Sequence, residues 1–147
     1  MSTVPAPRLL NAAGTAKLGD KMKTVLIIDD ESLVRATVSR MVEREGHRVL
    51  QAGNGAEGLK IFNRESVDVV VCDIIMPEKE GIETIGELRR KNPGLKIIAI
   101  SGGGRTENVD FLAMAQRLGA DYILAKPFGR DEFTALLRKS LETTRSG

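Results

Sequence analysis

Five short runs of strand composition recur along the chain, each followed by a segment with helical spacing. They are TVLIID (Thr24–Asp29), HRVLQA (His47–Ala52), VDVVVCD (Val67–Asp73), LKIIAIS (Leu95–Ser101) and DYILAK (Asp121–Lys126). Val69–Cys72 and Ile97–Ile100 are apolar without alternation, as in strands covered on both faces. Leu33, Val34, Thr37, Val38, Met41 and Val42 form the first helical stripe, with Gly46 as its C-cap signal. Asn54 reads as the N-cap of a second helix carrying Leu59 and Phe62. Ile82, Ile85 and Leu88 mark a third, stopped by Asn92-Pro93. Val109, Leu112 and Met114 to Leu118 mark a fourth, ending at Gly119, and Phe133, Leu136, Leu137, Ser140 and Leu141 a fifth. Such alternation predicts an α/β fold, a doubly wound five-stranded parallel sheet with right-handed crossovers and helices on both faces. The first and third strands become neighbours where the winding reverses, and ligands bind there, beyond the carboxyl ends of the strands.

That rim is where the polar residues gather. The first run ends in Asp29-Asp30 and the third in Asp73. The fourth ends in Ser101 before Gly102-Gly103-Gly104, and the fifth in Lys126-Pro127. Each has a plain structural alternative. Asp29-Asp30 can cap the first helix, and Asp30 or Glu31 at its start favours the helix dipole. Ser101 can be a turn residue, Lys126 a solvated lysine, and Asp73 the first polar residue as the chain reaches water. Their coincidence on one rim is what the alternatives leave unexplained.

Three carboxylates held close together repel by several kcal/mol at intermediate dielectric, which drives their pKa values upward. A hard divalent cation relieves the repulsion, and Mg²⁺ suits a site offering one or two carboxylates, waters and phosphate oxygens. Lys126 adds a point charge for an acid or a phosphoryl group, and Ser101 a hydroxyl donor. Acids, metal, lysine and hydroxyl form a phosphoryl-handling set, in which Asp73, if free of other partners, would be the nucleophile that forms an acyl phosphate.

Composition narrows the alternatives. The 22 basic and 20 acidic residues leave +2, and aromatics make up 3%, so neither a basic tract nor a stacking platform for bases is present. No direct nucleic-acid binding is expected. Cys72 is the one cysteine and His47 the one histidine, which excludes an internal disulfide and a zinc site of the usual His/Cys kind. Cys72 reads as a small buried hydrophobe. No apolar stretch approaches the roughly 18 residues of a membrane span, so no membrane contact and a cytoplasmic location are expected. Residues 1–22 read as a flexible N-terminal extension, with a short helix around Arg8 to Ala13. They lack the charged start and long apolar middle of a secretory signal. Residues 23–143 form the domain and 144–147 a tail.

VLIIDDE, DIIMPEKEG, Ser101 after KIIAI, and LAKPF, in that order, resemble the response-regulator receiver domain of two-component signalling over about Lys23 to Leu141. The resemblance implies a flavodoxin-like (βα)5 sheet of order 2-1-3-4-5. It implies that Asp73 is the phosphorylated residue and that Mg²⁺ is held by Asp30, by Asp29 partly through water, by Asp73 and by the Ile75 carbonyl. Ser101 would follow the phosphoryl group, Lys126 would bind one of its oxygens, and Met76-Pro77 with Gly81 would shape the adjacent loop. The donor would be a histidine kinase or phosphotransfer protein. With no room for an output domain after Leu141, a stand-alone, non-enzyme switch is expected, acting through contacts with an unknown downstream protein. One position departs from the family: an aromatic usually stands three residues before the lysine, where this chain has Ile123. Tyr122 is its neighbour, but strand alternation points it to the other face.

Rival readings fail on particular residues. A flavin or nucleotide module needs a hydroxyl- or glycine-rich first loop, where Asp29-Asp30-Glu31 would repel phosphate. A Mg²⁺ phosphohydrolase with an Asp nucleophile places Asp-x-Asp after the first strand. A receiver-shaped protein that no longer accepts phosphate is disfavoured because every chemical position is filled. By resemblance, residues two beyond the acceptor and two beyond the hydroxyl flank the path of a hydrolytic water. Ile75 and Gly103 stand there without a group to orient it, so slow self-dephosphorylation is expected.

Overall fold

The computed structural model describes residues 22–74, 80–101, 113, 116–117 and 119–144. Five strands, β1 (Thr24–Ile28), β2 (Arg48–Ala52), β3 (Val69–Asp73), β4 (Lys96–Ser101) and β5 (Tyr122–Ala125), form one sheet of order β2-β1-β3-β4-β5. Every adjacent pair is parallel, with Val25 beside both Val49 and Val69, Cys72 beside Ala99, and Ser101 beside Ala125. The helices described are α1 (Ser32–Arg44), α2 (Gly55–Arg64), α3 (Glu80–Lys91) and α4 (Arg130–Thr144). The stripe from Val109 to Leu118 lies largely outside the described residues, as does the extension through residue 21.

The apolar runs of strand composition and the period-3.6 stripes placed the described elements correctly, with strands one or two residues shorter than their runs. Asn54 caps α2, its side chain accepting the Glu57 N–H at 2.8 Å. Gly46 closes α1 at φ +89°, a left-handed conformation that glycine adopts without steric cost.

The sheet separates two apolar clusters. On one face, α2 and α3 bring Leu59, Phe62, Ile82, Ile85 and Leu88 against Leu26, Ile28, Val70 and Cys72. On the other, α1 and α4 bring Val38, Val42, Phe133 and Leu137 against Val25, Ile27, Val69 and Val71. β3 is buried along its whole length, which accounts for its unalternated sequence.

The stripe expected on α1 needs correction. Leu33 is 77% exposed and Thr37 is exposed, its hydroxyl donating back to the Leu33 carbonyl at 2.9 Å. A helix on a sheet buries an arc of roughly 100°. Val34, Val38, Met41 and Val42 fill that arc, while Leu33 and Thr37 sit one residue back, rotated out of it.

Candidate functional site

The carboxyl ends of β1, β3, β4 and β5 meet as the winding rule requires. Backbone bonds continue just past the strand ends: Asp29 N–H to Ala52 O at 3.1 Å, Ile74 N–H to Ile100 O at 2.9 Å, and Lys126 N–H to Ser101 O at 3.0 Å. These bonds fix the backbone from which Asp29, Asp73 and Lys126 project. The turn after β3 is held from the other side by α3. A Cβ at Gly81 would collide with the Asp73 carbonyl oxygen and lie 2.6 Å from Ile74 Cα. Only glycine allows α3 to start that close to the strand end, a physical reason for the Asp73-to-Gly81 spacing.

Asp29, Asp73 and Ser101 are buried, whereas Asp30 is exposed. One carboxylate oxygen from each of Asp29, Asp30 and Asp73 lies within 4.8 Å of the others. Lys126 reaches into this group, its Nζ 3.4 Å from both Asp29 Oδ2 and Asp73 Oδ2 and 3.1 Å from Glu31 Oε1. Ser101 ends β4 one residue past the partner of Asp73. The backbone carbonyl of Ile75, Met76-Pro77 and Gly103 lie outside the described residues.

Charge in this cluster is poorly balanced. Burial raises the Asp29 carboxyl above its ordinary value; the Glu31 N–H, donating at 2.9 Å, and the Lys126 charge oppose the shift without cancelling it. Burial alone would depress the Lys126 ammonium, but Asp73, Glu31 and Asp29 together outweigh burial and raise it. Among the described residues, Asp29 Oδ2 accepts no well-aligned hydrogen bond, although the Lys126 ammonium stands 3.4 Å away. Two carboxylates at this separation repel by roughly 4 kcal/mol at an effective dielectric near 20. A buried acid oxygen that has only a long ion pair with Lys126 and faces two further carboxylates fits a hard divalent cation.

Sequence reasoning read Glu31 only as a favourable helix start. It is the N-cap residue of α1, makes no side-chain cap bond, and instead pairs with Lys126. A partner 95 residues away leaves no local signal. Tyr122 and Ile123 do face opposite ways: Tyr122 packs with the α1/α4 cluster and Ile123 with the α2/α3 cluster. Among the described residues, no aromatic takes the place of Ile123 on its face of β5.

The chain matches the response regulator receiver domain over residues 25–138, and it belongs to that family. The probable transcriptional regulatory protein TcrX of Mycobacterium tuberculosis is 34% identical over 121 residues, covering 82% of this chain and 50% of that protein. Sporulation initiation phosphotransferase F of Bacillus subtilis is 30% identical over 117 residues, covering 80% of this chain and 92% of that one. The solved CheY-like receiver domain protein from Methanospirillum hungatei superposes with a TM-score of 0.79 at 25% identity, over 86% of this chain and 98% of the other. The chain spans about half the length of TcrX. Receiver domains of two-component systems accept phosphoryl groups from kinases or phosphotransfer proteins, and they typically bind Mg²⁺.

Proposed function

We propose that this chain is a cytoplasmic phosphorylation switch in which Asp73 takes a phosphoryl group from a histidine kinase or phosphotransfer protein. The observation that carries the reading is the convergence of Asp29, Asp30 and Asp73 with Lys126 at the carboxyl rim. An Asp73 carboxylate oxygen attacks the phosphorus, the P–N bond to the donor imidazole breaks, and its electron pair returns to nitrogen. The product is an acyl phosphate on Asp73. Lys126 neutralises a phosphoryl oxygen and Ser101 donates its hydroxyl to another. Asp29, Asp30, Asp73 and the Ile75 carbonyl would hold Mg²⁺, which would offset phosphoryl charge.

The protein is thus a phosphoacceptor rather than an enzyme acting on a separate substrate, and it signals by protein–protein contacts without binding nucleic acid itself. The chain matches nearly the full length of the Bacillus phosphotransferase and half of TcrX, and the switch is proposed for the receiver domain itself. No helix among the described residues is long and apolar enough to cross a membrane, in keeping with a cytoplasmic role. Ile75 and Gly103 offer no group to orient water, so the acyl phosphate is long-lived until a partner supplies one. The test is incubation of the full chain with acetyl phosphate and Mg²⁺, followed by intact-mass measurement. Wild type gains one phosphoryl mass and Asp73→Asn gains none; equal labelling of the two refutes the assignment.

A further inference from the structure

Lys126 is shared by three carboxylates, and its shortest ion pair is not with the buried acids. Its Nζ lies 3.1 Å from Glu31 Oε1, against 3.4 Å from Asp29 Oδ2 and from Asp73 Oδ2. It donates hydrogen bonds to Glu31 and Asp73. The Glu31 backbone is pinned, its N–H on Asp29 Oδ1 at 2.9 Å and its carbonyl accepting from Arg35 N–H at 3.1 Å. Its side chain is 60% exposed, whereas those of Asp29 and Asp73 are 1% and 3% exposed. Glu31 can therefore release the lysine into water at small cost, and the two buried acids cannot.

We infer that Glu31 is a positioning residue whose carboxylate holds the Lys126 ammonium at the rim of the site and yields it when an anion settles against Asp73. The inference rests on the reading of Asp73 as phosphoryl acceptor and adds the group that competes with the phosphoryl oxygens for Lys126. Two consequences have opposite signs. Removing the Glu31 charge weakens attraction for a cation at Asp29, Asp30 and Asp73. Removing its contact with Lys126 leaves the ammonium available to an anion. Each effect is about two- to fivefold, the scale of an exposed ion pair.

Two variants of the full chain separate contact from charge. Glu31→Gln removes the charge, whereas Glu31→Asp keeps it and withdraws it from Lys126 by one methylene. Calorimetric titration with Mg²⁺ alone, then with beryllium fluoride at saturating Mg²⁺, reads both ligands, the second standing in for a phosphoryl group on a carboxylate. Glu31→Gln binds Mg²⁺ more weakly and beryllium fluoride more tightly than wild type. Glu31→Asp binds Mg²⁺ as wild type does and beryllium fluoride as tightly as Glu31→Gln does. If Glu31→Asp matches wild type for both ligands while Glu31→Gln differs, only through-space charge is at work and the inference is wrong. It is equally wrong if both variants bind beryllium fluoride less tightly. A wild type that takes no beryllium fluoride removes the acceptor reading itself, and this inference with it.

Discussion

The two ends of the sheet each gather charged groups, but only one end matches them. At the amino ends of β4 and β5, the Arg89 guanidinium from α3 donates to Pro93 O at 2.7 Å, Leu95 O at 2.6 Å, Gly119 O at 3.2 Å and Asp121 Oδ2 at 2.8 Å. Asp121 Oδ2 also accepts the Ile97 N–H at 2.8 Å, and Lys96 stands 3.9 Å from its other oxygen. One planar cation with a fixed fork of donors thus ties α3 to the loop before β4 and the turn before β5. At the carboxyl ends, among the described residues, Asp29, Asp30, Glu31 and Asp73 gather around the Lys126 ammonium, which stands 3.4 Å from the buried Asp29 Oδ2. The first cluster holds the fold together. The second keeps an excess of negative charge that a hard cation would offset, at the expense of stability in its absence.

The largest effect separating the two ends is chemical. Asp73→Asn should reduce acetyl-phosphate labelling to background while leaving the urea unfolding midpoint close to wild type. Asp30→Asn should abolish Mg²⁺ binding by calorimetry and most of the labelling. Arg89→Ala should do the reverse. Its loss strands Asp121 and several carbonyls, costing about 3 kcal/mol in urea unfolding, with Mg²⁺ affinity at the other end of the sheet retained. If Arg89→Ala weakened Mg²⁺ binding tenfold in the folded protein, the two ends would not be independent.

The matched end was invisible in the sequence, and the deficient end was legible. Asp29, Asp73, Ser101 and Lys126 each terminate an apolar run of strand composition, so those runs and the winding rule suffice to bring them to one rim. Arg89 stands in the last turn of a helix, where a basic residue is ordinary. Its partners come from residues 93–95, 119 and 121, and nothing local announces that these segments meet. Glu31 was hidden for the same reason. Leu33 was misplaced because a stripe was drawn one residue wider than the sheet covers, and exposure at the first turn of α1 depends on where the sheet ends.

Asp29 carries the next effect. Its folded-state pKa is raised by burial, so the native protein binds more protons than the unfolded chain once pH exceeds the ordinary value of 3.8. Stability therefore falls as pH rises from there through the raised native value, and the penalty stays constant above it. Asp29→Asn removes that penalty and keeps an oxygen for the Glu31 N–H. In EDTA near neutral pH the variant should be more stable than wild type by about 1 kcal/mol. The gap should close below the unfolded-state value, and saturating Mg²⁺ should reverse it by stabilising wild type alone. A variant less stable than wild type in EDTA at neutral pH would mean that Lys126 already compensates Asp29 fully.

The smallest effect tests whether matching charges is enough to stabilise. Arg138 on α4 grips Glu45, the residue after α1, through both oxygens: Nε to Oε1 at 2.8 Å and an Nη to Oε2 at 3.1 Å. The pair is as well aligned as that of Arg89 with Asp121, and Glu45 raises the Arg138 pKa. The difference is water. The Arg138 side chain is 66% exposed and that of Arg89 22%. Charges already well solvated gain little by pairing, since holding two long side chains in one geometry costs entropy and salt screens the attraction. Arg138→Gln should therefore cost no more than about 0.5 kcal/mol in urea unfolding at low salt, and less at 0.5 M NaCl, roughly the range where the Debye length falls to a few ångströms. A loss approaching that of Arg89→Ala would show that bidentate geometry, rather than burial with several carbonyl acceptors, is what makes the amino end of the sheet strong.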